Sequence, residues 1–182
     1  MRTGETRMSG PIVLEPTMHA DERGFFLETY SARDYAALGI DAPFLQDNHS
    51  RSGAGVLRGL HFQQEPGQGK LVRVARGRVV DVVVDLRRSS PTFGQHEVFE
   101  LDDVSHRQVY VPVGFAHGFV VLSEVADVVY KVTAYYDPTT ERGIVWDDPD
   151  LAIAWPVTRP RLSPRDRELP RLAEIRDRLP DW

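Results

Sequence analysis

Along Val79-Val80-Asp81-Val82-Val83-Val84-Asp85-Leu86, apolar residues recur with period two, so Val80, Val82, Val84 and Leu86 share one side and Asp81 and Asp85 mark the other. The alternation predicts a strand with one face in a core and a wetter opposite face. Short runs rich in Val, Phe, Tyr and Thr, cut by Pro and Gly, predict further strands over 12–14, 25–30, 44–48, 56–62, 71–74, 96–101, 108–111, 116–122 and 125–136. So many short strands predict an all-β sandwich or barrel. Two segments read as short peripheral helices. One is 32–38, between Ser31 as N-cap and Gly39 as stop; the other is 171–179, with Leu172, Ile175 and Leu179 on one side. A length of 182 residues suits a single domain over 1–182, with the Pro- and Arg-rich stretch 156–182 expected as a tail packing on the barrel.

Composition narrows the function. Lys and Arg (22) against Asp and Glu (27) leave a net charge of −5, so no general attraction draws nucleic acid or anionic lipid. The chain has no Cys, which excludes disulfides, thiolate metal sites and a cysteine nucleophile and fits a reducing compartment. The first residues, MRTGETRMSG, lack an apolar core, and no apolar run approaches a membrane span. A cytoplasmic protein with no membrane and no nucleic-acid partner is expected.

Two local patterns carry chemistry: Gly55-Val-Leu-Arg-Gly-Leu-His61-Phe62-Gln63 and Pro112-Val-Gly-Phe-Ala-His117. They resemble the two motifs of the cupin superfamily, which implies a jelly-roll barrel. Metal-binding cupins place two His one residue apart in the first motif, whereas this chain has Gln63 at the second of those positions. His61 and His117 alone are too few ligands for a metal site that wants about three. Acid–base chemistry in an open barrel is the better expectation. Without such a role, His61 and His117 would be hydrogen-bonded barrel histidines.

In the run 125–136, period two puts Tyr130 and Tyr136 on one face, roughly 20 Å apart at about 3.3 Å per residue. That span suits a long ligand with a reactive end and a flat ring, such as a nucleotide sugar. As ordinary strand residues the two tyrosines would need no such ligand.

Further blocks sharpen the likeness: Arg23-Gly24-Phe25-Phe26, Gln46-Asp47-Asn48-His49-Ser50, Gln68-Gly69-Lys70-Leu71-Val72-Arg73-Val74, Tyr130-Lys131, Tyr135-Tyr136, Glu141-Arg142-Gly143-Ile144 and Leu162-Ser163-Pro164-Arg165-Asp166. From about Gly24 to Asp166 the chain resembles the dTDP-4-dehydrorhamnose 3,5-epimerases. The resemblance implies a homodimeric enzyme, free of cofactor and metal, acting on a dTDP-sugar, dTDP-4-dehydro-6-deoxyglucose. By the same likeness His61 is the base, Asp166 its orienting carboxylate, Tyr130 the acid and Lys70 the cation at the developing oxyanion. Substrate binding falls to Arg23, Glu28, Gln46, Asn48, Arg58, His117, Glu141 and Arg165, with Tyr136 stacking on thymine. Arg58 and His61, three apart, reach one side of a strand only if Gly59 marks a bulge. Arg165 stands where the family commonly has Lys, keeping the charge with a different geometry.

Three other readings compete. A mono-epimerase would invert C3 or C5 alone with the same groups. A metal-dependent cupin oxygenase or isomerase would use His61, His117 and a carboxylate such as Glu65. A sugar-binding jelly roll would bind without turnover.

Overall fold

Val79, Val82, Val83 and Val84 are all fully buried, so the strand that carries the clearest alternation is covered on both faces. In the computed structural model, which describes residues 1–182, it is β8 (Arg78–Asp85). Before it in the chain come β1 (Arg2–Thr3), β2 (Ile12–Glu15), β3 (Met18–Asp21), β4 (Gly24–Leu27), α1 (Ala32–Ala36), β5 (Gln46–Gly53), β6 (Leu57–Gln63) and β7 (Lys70–Arg76). After it come β9 (His96–Asp102), β10 (Gln108–Val111), β11 (Phe115–Val121), β12 (Val125–Val132), β13 (Glu141–Gly143), α2 (Pro164–Arg167) and α3 (Leu172–Ile175). A single 3-10 turn, Arg176–Arg178, follows α3, so the expected helix over 171–179 is broken into two short pieces.

Two sheets face one another, one in the order β1-β2-β10-β7-β12-β5 and the other in the order β13-β6-β11-β8-β9. Their inner faces pack Val72, Val74, Val109 and Val128 of the first against Val79, Val83, Leu101 and Phe119 of the second. The architecture is the expected all-β jelly-roll barrel of cupin type with a few short helices outside it.

The second row of β8, Val82, Val84 and Leu86, faces outward and packs against Leu151, Leu172 and Leu179. Burying side chains of this size stabilises by roughly 1.5–3 kcal/mol each. The tail thereby covers one sheet, while Tyr35 and Ile40 cover Leu14 and Leu71 on the other. Asp81 and Asp85, expected on the wetter side, are fully buried. Their row points into the barrel, and the apolar row that the sequence assigns to the core lies beneath the tail.

Two strand expectations change. β12 stops at Val132 instead of running to Tyr136. The predicted strand over 25–30 shortens to β4 and pairs with β3, Met18 against Leu27 and Asp21 against Gly24. This hairpin joins neither large sheet, and Phe25 and Phe26 on it are 58% and 70% exposed.

Candidate active site

β6 and β11 pair with a one-residue slip: His117 lies opposite His61, yet Phe119 lies opposite Arg58. The extra residue in β6 is a bulge, and it turns both Arg58 and His61 into one cavity. Gly59 makes the bulge possible. Its φ is +120°, and a Cβ there would sit 2.5 Å from the Cα of Gly118 and 2.8 Å from the His117 carbonyl oxygen.

His61 Nε2 lies 2.6 Å from Asp166 Oδ1. The carboxylate is delivered by α2, which Ser163 caps by accepting the Asp166 N–H at 3.0 Å, with Pro164 in the first turn. Burial alone would raise the Asp166 pKa. The hydrogen bond and charge of His61, with bonds from Ser163 and the Gly59 amide, outweigh burial and hold it below the usual carboxylate range. An ionised carboxylate only accepts, so Nε2 keeps its proton and Nδ1 is left as the basic nitrogen.

A second pair lies beside the first. His117 Nε2 is 2.7 Å from Asp81 Oδ2, and both side chains are buried. Lys70, at the start of β7, is buried with its Nζ donating to the His61 carbonyl at 3.3 Å. Burial lowers its pKa to about 8, against the opposing charges of Glu141 and Asp81. Tyr130 on β12 faces the same cavity, and burial raises its phenol pKa, so it holds its proton at neutral pH.

The cavity has a volume of about 580 Å³. A polar set surrounds the reactive groups. Tyr136 Oη donates to Glu141 at 2.9 Å, Arg165 forms an ion pair with Glu141, and Arg58 Nε donates to Ser52 Oγ at 3.0 Å. Gln46 Nε2 donates to Asn48 Oδ1 at 2.8 Å, and Gln46 Oε1 accepts the Tyr136 N–H at 3.1 Å.

Of the residues expected from the sequence, Gln46, Asn48, Arg58, His61, Lys70, His117, Tyr130, Tyr136, Glu141, Arg165 and Asp166 all line this cavity. Arg23 and Glu28 do not. Arg23 sits at the tip of the β3–β4 hairpin, paired with Asp21, and Glu28 is exposed near Met1 and His19. Tyr136 reaches the cavity from the segment after β12, so strand rise does not set its separation from Tyr130.

Sequence reasoning missed Asp81, Ser50, Gln68 and Arg161. Asp81 carries a signal, being an acid in an apolar strand, but the alternation does not tell that its face is the one turned inward toward His117. No group of three His, Asp or Glu side chains gathers to hold a metal ion. His61 and His117 each spend a ring nitrogen on a carboxylate, and Glu65 is exposed, so the donor set does not fit a cupin metal centre.

A jelly-roll barrel with this cavity, carrying imidazole, phenol and ammonium groups in place of metal ligands, defines a cupin-type isomerase. The family model for dTDP-4-dehydrorhamnose 3,5-epimerase matches residues 5–174, and the chain belongs to that family. It is 53% identical over 167 residues to the dTDP-4-dehydrorhamnose 3,5-epimerase of Pseudomonas aeruginosa, covering 90% of this chain and 92% of the relative. A dTDP-4-dehydrorhamnose 3-epimerase of Streptomyces niveus is 46% identical over 179 residues, covering 97% of this chain and 86% of the relative. Among solved structures, a 3,5-epimerase of Legionella pneumophila in complex with dTDP-4-keto-L-rhamnose superposes with a TM-score of 0.96 at 47% identity, covering 100% of this chain and 98% of the other.

Proposed function

We propose that the protein epimerises dTDP-4-dehydro-6-deoxy-D-glucose at C3 and C5, giving dTDP-4-dehydro-L-rhamnose. The observation that carries the reading is the His61–Asp166 pair in the same cavity as Tyr130 and a buried Lys70. In a 4-keto sugar both C3 and C5 neighbour the carbonyl, so loss of either proton gives an enolate with its charge on O4. His61 Nδ1 takes the proton, and Asp166 stabilises the imidazolium that forms. Lys70 neutralises O4, where one preorganised donor is worth about 3 kcal/mol of barrier. Tyr130 returns a proton from the opposite face and the centre inverts. His117, held by Asp81, supports the sugar pocket.

Arg58 and Arg165 give an anionic diphosphate local cations despite the net negative charge. Tyr136 offers its ring to thymine. Arg23 and Glu28 complete the reading if the protein is a homodimer and the hairpin that bears them reaches the cavity of a second copy. The two exposed phenylalanines of that hairpin support this, since a pair so open to water is unusual unless covered.

Proton NMR of the substrate in deuterated water tests the proposal. One deuteron at each of C3 and C5 is expected; no exchange at either would sink it. Deuterium at C3 alone would support the second reading, a mono-epimerase, which the likeness to the 3-epimerase favours.

A further inference from the structure

The ladder of β12 ends at Val132, and the chain that follows carries Tyr136 with no strand beside it. Side-chain amides hold it instead. Gln68 Nε2 donates to the Ala134 carbonyl at 2.8 Å and to Gln63 Oε1 at 3.1 Å. Gln63 Oε1 also accepts the Asp137 N–H at 3.3 Å, and Gln63 Nε2 lies 3.4 Å from the Tyr135 carbonyl. Residues on both sides of Tyr136 are therefore tied to one amide pair. Gln63 is 5% exposed and stands opposite Glu141 in the β6–β13 pairing, so the acceptor of the Tyr136 hydroxyl rests on the same support. Gln63 Nε2 also lies 3.5 Å from Thr140 Oγ1, and a buried amide that satisfies four backbone and side-chain groups fixes their relative positions, because breaking any one leaves another unpaired. The Tyr136 ring itself is half exposed.

We propose that Gln63 and Gln68 are positioning residues that hold the Tyr136 ring as a platform for the substrate's pyrimidine. They set the affinity for the nucleotide and leave the proton transfers alone. Where a metal-binding cupin has its second His, this chain has the amide that orients its nucleotide platform. The inference rests on the epimerase reading given above for its substrate.

The test measures epimerisation kinetics and inhibition by dTDP alone in Gln63→Leu, Gln68→Leu and the double variant. KM and the dTDP inhibition constant should each rise about tenfold, the worth of one to two hydrogen bonds, while kcat changes less than about twofold. The double variant should match the worse single, since the amides act as a unit. Gln63→Glu keeps the accepting oxygens and should recover part of the loss. The deciding measurement places the same changes in a Tyr136→Ala background, where dTDP affinity should fall no further. Unchanged dTDP affinity, a loss confined to kcat, or an equal loss without Tyr136 would overturn the inference. Should Gln63→Leu fail to fold by circular dichroism, Gln68→Ala carries the same test. Wild-type protein that binds dTDP but exchanges no sugar protons would refute the reaction while leaving the platform inference open to the binding measurement.

Discussion

His61 Nε2 and Asp166 Oδ1 are 2.6 Å apart across 105 positions of sequence, one on a barrel strand and the other on a capped turn of the tail. The bond fixes the ring's tautomer and, in the proposed reaction, stabilises the imidazolium that forms. Asp166→Asn keeps the shape but offers Nε2 an amide that can also donate, so the wrong tautomer is populated. Turnover should fall by roughly 10³-fold or more with the melting temperature changed by only a few degrees. Steady-state rates and thermal melts of the two proteins check this.

Tyr130→Phe separates removal of a proton from its delivery. The base remains, so substrate protons should still wash out into deuterated water. Inverted product should form roughly 10²–10⁴ times more slowly. NMR that reads exchange and configuration together decides; normal inversion rates would remove Tyr130 as the acid.

Lys70 gives a pH dependence with two opposite signs. In the folded protein its pKa is about 8, so kcat/KM should fall as pH rises through 8 and the cation proposed for O4 is lost. Stability moves the other way. The unfolded chain keeps that proton up to about 10.5, so between 8 and 10.5 it binds more protons than the native state, and this group's penalty is relieved as pH rises. Lys70→Met should therefore melt above the wild type below pH 8, with the gap closing across that window. Parallel pH profiles of rate and melting temperature test both signs.

Gly59→Ala forces a methyl against the backbone of β11 at a φ that alanine resists. A loss of about 3 kcal/mol or more is expected in urea unfolding, along with loss of activity as His61 and Arg58 cease to share a cavity.

Phe25→Asp with Phe26→Asp tests the second copy. If the hairpin joins two copies as proposed, light scattering should show a smaller species than the wild type, and KM should rise as Arg23 and Glu28 lose the second copy's cavity. An unchanged dimer would detach the hairpin from assembly.

The barrel was legible because period-two alternation and turn residues encode strands locally. Which face of a strand is wet is not local. Asp81 and Val82 must point apart, but the tail that covers Val82 lies far along the sequence, so Asp81 was placed on the wrong side. The β-prone run Thr133-Ala134-Tyr135-Tyr136 extends the strand pattern past its true end, and only the glutamine amides of other segments reveal why the chain departs there. The likeness to a family gathered most of the cavity residues, yet it could not show that Arg23 lies outside the cavity of its own chain.

The tail lays Leu172 and Leu179 over the outer valines of β8 and carries Asp166 to His61. During translation the imidazole is therefore made long before its carboxylate. A nascent chain that already has every strand still lacks the carboxylate that, in the proposed reaction, makes His61 an effective base. In the proposed reaction, full capacity to deprotonate a keto sugar would thus mature late, once the segment bearing Asp166 docks.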